Sequence, residues 1–292
     1  MMVQDASRWA MNELVELESP RLEVDILLCH LMKWERHSLY LHYSTEMNST
    51  DMENFRRIIN RRKNREPLQH ITGLTEFLGR EFIAGPDALV PRPETETLAE
   101  LFISKLSAKP RLLLDAGTGS GILAASLALE YPSALVIGSD ISRSALSIAA
   151  QNMIRHGIEN VQLVEADLLK PFGSGAARFD GVIANLPYIP SLEIDTLEPE
   201  VRFGDPRIAL DGGSNGLDLV RILLDEVPSL LKKKGILALE LASDQVPTVA
   251  EWLSNDNSWC CVEYKKDLTG RRRIVVAELG RIGVKSLLLT LS

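Results

Sequence analysis

The sequence predicts an α/β protein: an open, doubly wound parallel sheet covered by helices on both faces, preceded by a small all-helical domain. Three observations carry that prediction. From residue 111 onward, short continuous apolar runs ("RLLLDA", "ALVIGSD", "VQLVEAD", "FDGVIAN", "GILALEL") alternate with helical patterns, as expected of strands buried on both faces. The first run ends in a glycine-rich turn, "DAGTGSG". Residues 1–66 show helical periodicity and no strand pattern.

Within the first 66 residues, Ser19-Pro20 places an N-cap before a proline at the first helical position. Leu22, Ile26 and Cys29 follow at helical spacing, with Val24, Leu27, Leu28 and Leu31 widening the apolar face. Thr50 and Glu53 have capping-box spacing, with Asp51 suited to the positive end of the helix dipole. The helix they open carries Phe55, Ile58 and Ile59 inward and is expected to end near Glu66-Pro67. Its stretch "RRIINRRKNR" is rich in Arg and Lys and lacks acids. It reads as a solvated face or as a contact for an acidic protein surface or RNA. Residues 67–90 read as a linker in which "TEFLGREFIA" forms a small hairpin about Gly79-Arg80. Pro93 opens the next helix, with Glu94 and Glu96 in its first turn. The expected domains are therefore 1–66, a linker at 67–90, and 91–292.

A chain of 292 residues can bury a substantial core. Apolar content of 45% and charged content of 25% are ordinary for a soluble protein. The net charge of −8 argues against a global grip on nucleic acid, which leans on accumulated Lys and Arg. Cys29, Cys260 and Cys261 are an odd set without Cys-x-x-Cys spacing. They suggest reduced thiols, no zinc site and a cytoplasmic protein. No signal peptide is visible, and the most apolar window is broken by Glu130 and Pro132, so no membrane association is expected.

In doubly wound sheets, ligands bind outside the carboxyl ends of the strands, and three of those ends offer a carboxylate. The first gives Asp115 followed by Gly117, Thr118, Gly119, Ser120 and Gly121. A dinucleotide fingerprint read from Gly117 would need Gly or Ala where Ile122 stands. Asp115 would also be awkward beside a diphosphate, whereas an amino-acid-bearing sulfonium such as S-adenosylmethionine would suit it. The second strand ends in Asp140-Ile141, nineteen residues past Gly121, where a carboxylate can accept both hydroxyls of a ribose; it can equally cap the next helix. The third ends in Asp167-Leu168, with Asp167 available to an adenine amino group or simply to solvent.

The fourth run ends in Asn185-Leu186-Pro187-Tyr188. Asn and Pro are ordinary turn residues, but beside the glycine turn the tetrapeptide resembles the signature of amino-methylating methyltransferases, which implies chemistry on a weakly nucleophilic amide or aromatic amine. The Asn185 side-chain oxygen and the Leu186 carbonyl can accept hydrogen bonds from an NH2 group and turn its lone pair toward a methyl donor. Pro187 restricts Leu186 to extended backbone, and Tyr188 can stack on a planar substrate.

This constellation resembles the class I methyltransferases, whose doubly wound, Rossmann-like sheet has seven strands and binds S-adenosylmethionine. The tetrapeptide matches the signature of their amino-methylating members. "PLQHITGLTEFLGREFIAGPDALVPRPETE", "ANLPYIP", "LEPEVRFGDPRIALDGGSNGLD", "LALELASDQ" and "DLTGRRRIVVAEL" extend the resemblance over nearly the whole chain, to the protein-(glutamine-N5) methyltransferases of the PrmC/HemK family. The resemblance implies that the substrate is the glutamine of the Gly-Gly-Gln motif in peptide chain release factors, with residues 1–66 recognising it. Leu186 stands where the family usually has proline, which gives the tetrapeptide the Asn-Leu-Pro-Tyr of rRNA adenine dimethylases. An adenine-N6 methyltransferase acting on DNA or rRNA is the alternative. Arg92 and Glu94 at the domain junction, and Arg202 in the loop after the tetrapeptide, are candidates for shaping the substrate entrance. The chain is expected to act as a monomer without metal.

Overall fold

The computed structural model describes residues 1–173, 178–267, 269–280 and 287–291. The chain forms two compact units, Met1–Leu74 with Glu198–Gly204, and Thr75–Leu197 with Asp205–Ser292.

The first unit is helical: α1 (Val3–Glu13), α2 (Pro20–Met32), α3 (Ser49–Lys63), α4 (Leu68–Thr72) and, from far along the chain, α8 (Pro199–Gly204). Its core gathers Val3, Ala10, Leu14, Leu27, Leu28, Leu39, Phe55 and Ile59. On α2 the structure buries Val24, Leu27 and Leu28, whereas Leu22, from the expected stripe, is 40% exposed. Pro20 begins α2 as expected, but the Ser19 side chain makes no capping bond. The start of α3 is also corrected. Its N-cap is Asn48, whose Oδ1 accepts from the Asp51 amide at 2.8 Å while its Nδ2 donates to the Asp51 carboxylate at 2.7 Å. Asparagine is at least as good a cap as threonine, so the helix starts before the expected Thr50–Glu53 box and ends at Lys63.

The basic stretch of α3 is largely matched by carboxylates. Arg62 is buried and pairs with Glu23 and, at 3.2 Å, with Glu200 of α8. Arg65 reaches the same Glu200 oxygen at 3.1 Å, and Lys63 meets Glu13 at 2.7 Å. Arg61 donates to Glu66 at 2.8 Å. Most of the stretch expected to be solvated or to await an acidic partner is thus paired within its own unit.

The expected hairpin, β1 (Leu74–Phe77) and β2 (Arg80–Ile83), starts on the last residue of the first unit's N-terminal segment and otherwise belongs to the second, where α5 (Pro93–Lys105) follows. The doubly wound segment runs β3 (Leu112–Ala116), α6 (Ile122–Glu130), β4 (Leu135–Asp140), α7 (Arg143–Arg155), β5 (Val161–Glu165), β6 (Phe179–Ala184), α9 (Asp218–Leu230), β7 (Leu231–Glu240) and α10 (Val246–Asn255). It closes with β8 (Trp259–Lys266), β9 (Arg272–Leu279) and β10 (Leu287–Leu291). Strand order is β10-β8-β9-β7-β6-β3-β4-β5. The expected seven strands are β3–β9, with β9 antiparallel to β7 and β8. The C-terminal segment, to which the sequence assigned no role, adds β10 as an eighth strand parallel to β8; residues 281–286 and 292 lie outside the described residues.

Successive strand residues point to opposite faces, and both faces are covered. Leu114, Val182 and Leu237 pack with Val220 and Leu223 of α9 and Val246 and Val249 of α10. Leu113, Ile183 and Ala238 pack with Leu98 and Phe102 of α5 and Leu123 and Leu127 of α6. The order reverses between β3 and β6, where Ala116 pairs with Ala184, and on its other side Ala116 pairs with Ser139 of β4. This register places the three strand ends side by side. Among the described residues, no helix is long and apolar enough to cross a membrane.

The corrected cap gives a direct test. Asn48→Ala should cost about 1 kcal/mol in denaturant unfolding of the helical unit, whereas Thr50→Ala should stay within about 0.5 kcal/mol. The reverse ranking would restore the Thr50 cap.

Candidate functional site

A cavity of about 530 Å3 opens at the carboxyl ends of β3, β4 and β6, the switch-point position where ligands bind in such sheets. Gly117, Thr118, Gly119, Ser120, Asp140, Ile141, Asp167, Leu168, Asn185, Leu186 and Pro187 line it, with Pro206–Ala209 of the later loop. Nearly all the residues expected to hold a cofactor are therefore gathered around one space.

The glycine turn leaves β3 with Gly117 at φ +74° and Gly119 at φ +54°. A Cβ on Gly117 would lie 2.9 Å from the Leu186 side chain, while one on Gly119 would meet nothing within 4 Å. Gly119 can therefore admit a ligand close to the backbone. Gly121 instead faces α7, where a Cβ would press on Ala149 at 2.7 Å.

Asp115 does not do what its sequence position suggests. It is wholly buried beneath the turn and is absent from the cavity lining. Its Oδ2 accepts from the Thr118 hydroxyl at 2.5 Å and the Ala124 amide at 3.0 Å, clamping the turn to α6. Burial pushes its carboxyl up to about 7. The acidic character of the cavity comes instead from Asp87, Asp140, Asp167 and Asp211. Arg207 is the one cation in the lining among the described residues, 3.5 Å from Asp211. That balance suits a cationic ligand better than a polyphosphate.

Asp140 ends β4 with one oxygen accepting from the Gly119 amide and the other from the Ser142 amide, both at 2.8 Å. It is not the cap of α7, because Ser142 holds that position with its hydroxyl on the Ala145 amide at 3.2 Å. A carboxylate has about four lone-pair sites, so capacity remains for ribose hydroxyls. Ile141 is half exposed at the rim. Asp167 is paired with Lys170 and remains partly exposed; Leu168 follows at φ +51°.

The tetrapeptide leaves β6 beside the turn. Asn185 Nδ2 donates to the Thr95 hydroxyl at 3.3 Å, and Asn185 Oδ1 has no partner although it is buried. Such an atom wants a donor, and this one belongs to a residue on the cavity wall. Leu186 is buried against the turn. Tyr188, expected to stack on substrate, is not among the lining residues. Its hydroxyl faces the Glu240 carboxylate at 3.5 Å, and burial with that neighbouring charge pushes its phenol upward.

Several residues of this site escaped the sequence reading. Thr95, in the first turn of α5, donates to Glu240 at 2.8 Å. Glu240 ends β7 and is buried, which pushes its carboxyl up to about 7. The rule that found Asp140 and Asp167, a carboxylate at a parallel strand end, applied to β7 would have found it. Gln245 donates to the Tyr188 carbonyl at 2.8 Å. Gly216, at φ +74°, lies so close to that carbonyl that an added Cβ would overlap it. "DGGSNG" thus cradles the tetrapeptide backbone, aided by the Gly212 amide on the Ile189 carbonyl at 2.9 Å.

None of the three entrance candidates lines the cavity. Arg92 is engaged with Asp205 at 2.8 Å, and Asp205 also takes the Val90 amide at 3.1 Å. Arg92 therefore ties a loop down instead of lining the cavity. Glu94 is also absent from the lining. Arg202, over the Phe203 ring at 4.9 Å, belongs to the helical unit and not to the sheet unit that carries the tetrapeptide.

Comparison with known proteins finds relatives along nearly the whole chain. The family described as "PrmC N-terminal domain" matches residues 5–73, and one described as "Methyltransferase domain" matches residues 111–275. The release factor glutamine methyltransferase of Geobacter sulfurreducens is 37% identical over 93% of this chain and 95% of its own length. That of Rhodospirillum rubrum is 36% identical over 94% of this chain and 83% of its own. Among solved structures, a methyltransferase from Pyrococcus furiosus superposes with a TM-score of 0.51 at 19% identity, covering 70% of this chain and 91% of that one. It shares the fold.

Two predictions follow from the packing and charge of the site. Gly216→Ala adds a clash to a left-handed backbone and should cost about 2–4 kcal/mol. Gly119→Ala, left-handed but in open space, should cost about 1 kcal/mol in the same denaturant titration. Glu240 and Asp115 titrate near 7 when folded but near about 4 when unfolded. Between those values the native state holds more protons, so stability falls as pH rises through the window. Glu240→Gln should gain on wild type between pH 5 and 8, by at most roughly 3 kcal/mol. A pH-independent gap in melting temperature would refute the assignment.

Proposed function

Because this chain belongs to the release factor glutamine methyltransferase family, we propose that it methylates the side-chain N5 of the glutamine in the Gly-Gly-Gln motif of peptide chain release factors. S-adenosylmethionine supplies the methyl group on a sulfonium, already a good leaving group. The products are N5-methylglutamine, S-adenosylhomocysteine and a proton. The observation that carries this reading is the unpartnered Oδ1 of Asn185, on a cavity wall shared with the glycine turn.

The backbone of Gly117–Ser120 would hold the cofactor, with Asp140 taking its ribose and Asp167 and Leu168 its base. Asn185 Oδ1 accepts one hydrogen of the glutamine NH2 and the Leu186 carbonyl accepts the other. Together they turn the conjugated lone pair out of its amide plane and toward the methyl group. Pro187 keeps Leu186 extended. Tyr188 serves from behind, through its hydroxyl on Glu240. Rate enhancement then comes from positioning and preorganised acceptors, without an acid–base pair. The helical unit carries recognition of the protein substrate, and the chain works as a monomer in the cytoplasm, where its modification supports translation termination.

The test is methyl transfer from labelled cofactor to a purified release factor, with the modified peptide located by mass spectrometry. The label should appear on the Gly-Gly-Gln glutamine and vanish when that glutamine is changed to alanine. Asn185→Ala should bind cofactor within about threefold of wild type yet transfer about a hundredfold more slowly or worse. Label on rRNA or DNA with none on the factor would favour adenine-N6 methylation instead.

A further inference from the structure

We propose that Thr95, anchored by Glu240, is a positioning residue that fixes which end of the Asn185 amide faces substrate; this rests on the reading that Asn185 Oδ1 accepts from the substrate NH2. An asparagine amide is nearly the same shape either way round, and only one orientation presents an acceptor. Proton counting on the neighbouring hydroxyl decides between them. Thr95 is buried in the first turn of α5, and its Oγ1 lies 2.8 Å from Glu240 Oε2 and 3.3 Å from Asn185 Nδ2. A threonine hydroxyl carries one proton and two lone pairs. An ionised Glu240 can only accept, so it takes that proton. The Thr95 oxygen is then left purely an acceptor toward Asn185, and only the NH2 end of the amide can answer it. Oδ1 is thereby turned to the other side, where it has no protein partner.

The carboxylate is itself held. Tyr188 approaches its other oxygen at 3.5 Å. Glu94, on the same turn as Thr95, and Arg273, on β9, are the charged groups that face it. Arg273 is shared with Asp267 at 3.4 Å. Three segments far apart in sequence thus meet at one hydroxyl: the end of β6, the first turn of α5 and the end of β7. Their combined effect is to make Asn185 a one-way acceptor before substrate arrives. Without the Thr95 hydroxyl, the two amide orientations approach equal energy and part of the enzyme presents a donor to a donor.

The experiment compares wild type, Thr95→Val, Thr95→Ser, Asn185→Ala and the Thr95→Val/Asn185→Ala double variant at pH 8.5, where Glu240 is ionised. Methyl transfer to a release factor is measured alongside cofactor affinity by calorimetry. Valine keeps the shape of threonine, and serine keeps only the hydroxyl. Thr95→Val should lower kcat roughly tenfold, with cofactor affinity unchanged within about twofold. Thr95→Ser should recover most of the rate. In the Asn185→Ala background, Thr95→Val should cost nothing further, because its whole effect passes through Asn185. The proposal is overturned if Thr95→Val keeps wild-type kcat, if Thr95→Ser is as slow as Thr95→Val, or if the losses multiply in the double variant. Should Thr95→Val fail to fold, Thr95→Ser decides alone, because a slow serine enzyme overturns it. An Asn185→Ala enzyme at full speed would instead remove the methyl-transfer reading on which the proposal rests.

Discussion

The structure depends most on a single missing atom. Gly117 has no Cβ, and the space is taken by Leu186, whose Cδ2 would lie 2.9 Å from one. The contact exists because Ala116 of β3 and Ala184 of β6 are paired in register, so the segments leaving the two strands emerge as neighbours. One is the glycine turn and the other is the tetrapeptide. Their separation is set by side-chain packing in the core. A protein whose chemistry needs two groups held in line gains most from such rigidity.

Leu186 shows how the same backbone path can be held by different means. A proline there would fix its own φ through its ring. Leucine has no such constraint, but its side chain is buried beneath the turn, and Pro187 still limits its ψ. The carbonyl is thus held by packing on one side and by sterics on the other. The backbone beyond it is gripped by Gln245 and by the glycines of "DGGSNG". Buried polar groups supply the remaining order. Asp115 clamps the turn, and Glu240 gathers Thr95 and Tyr188. Both carboxyls are buried: Asp115 Oδ2 accepts from a hydroxyl and an amide, and Glu240 accepts from two hydroxyls.

Much of this was legible in the sequence for definite reasons. Continuous apolar runs alternating with helices can hardly be anything but a two-sided parallel sheet, and strand ends are where such sheets bind ligands. That sufficed to locate the glycine turn, Asp140, Asp167 and Asn185. What escaped were the directions of side chains. Asp115 and Asp140 look alike in sequence, each ending a strand. One is buried as a clamp and the other lines the cavity, because the turn folds over the first. Tyr188 looked like a stacking residue and is instead turned to Glu240, a partner 52 positions away. Arg92 is a candidate for shaping the substrate entrance by its position in sequence, yet Asp205 claims it from across a long loop. On α2 the apolar face is wider than its neighbours cover, and the packing buries Val24, Leu27 and Leu28 but leaves Leu22 out. Local pattern fixes periods and strand ends; it does not say which distant residue will occupy a given acceptor.

The short helix α8 carries one more implication. Its Glu200 pairs with both Arg62 and Arg65, yet it comes from late in the chain, between Leu197 and Asp205 of the sheet unit. The polypeptide therefore passes from one unit to the other three times, after Leu74, after Leu197 and after Gly204. Excising residues 1–74 as an isolated module would leave behind the acid that answers two of its arginines, one of them almost fully buried. Gene shuffling that swaps only the contiguous N-terminal block between relatives would inherit the same mismatch unless residues 198–204 travel with it.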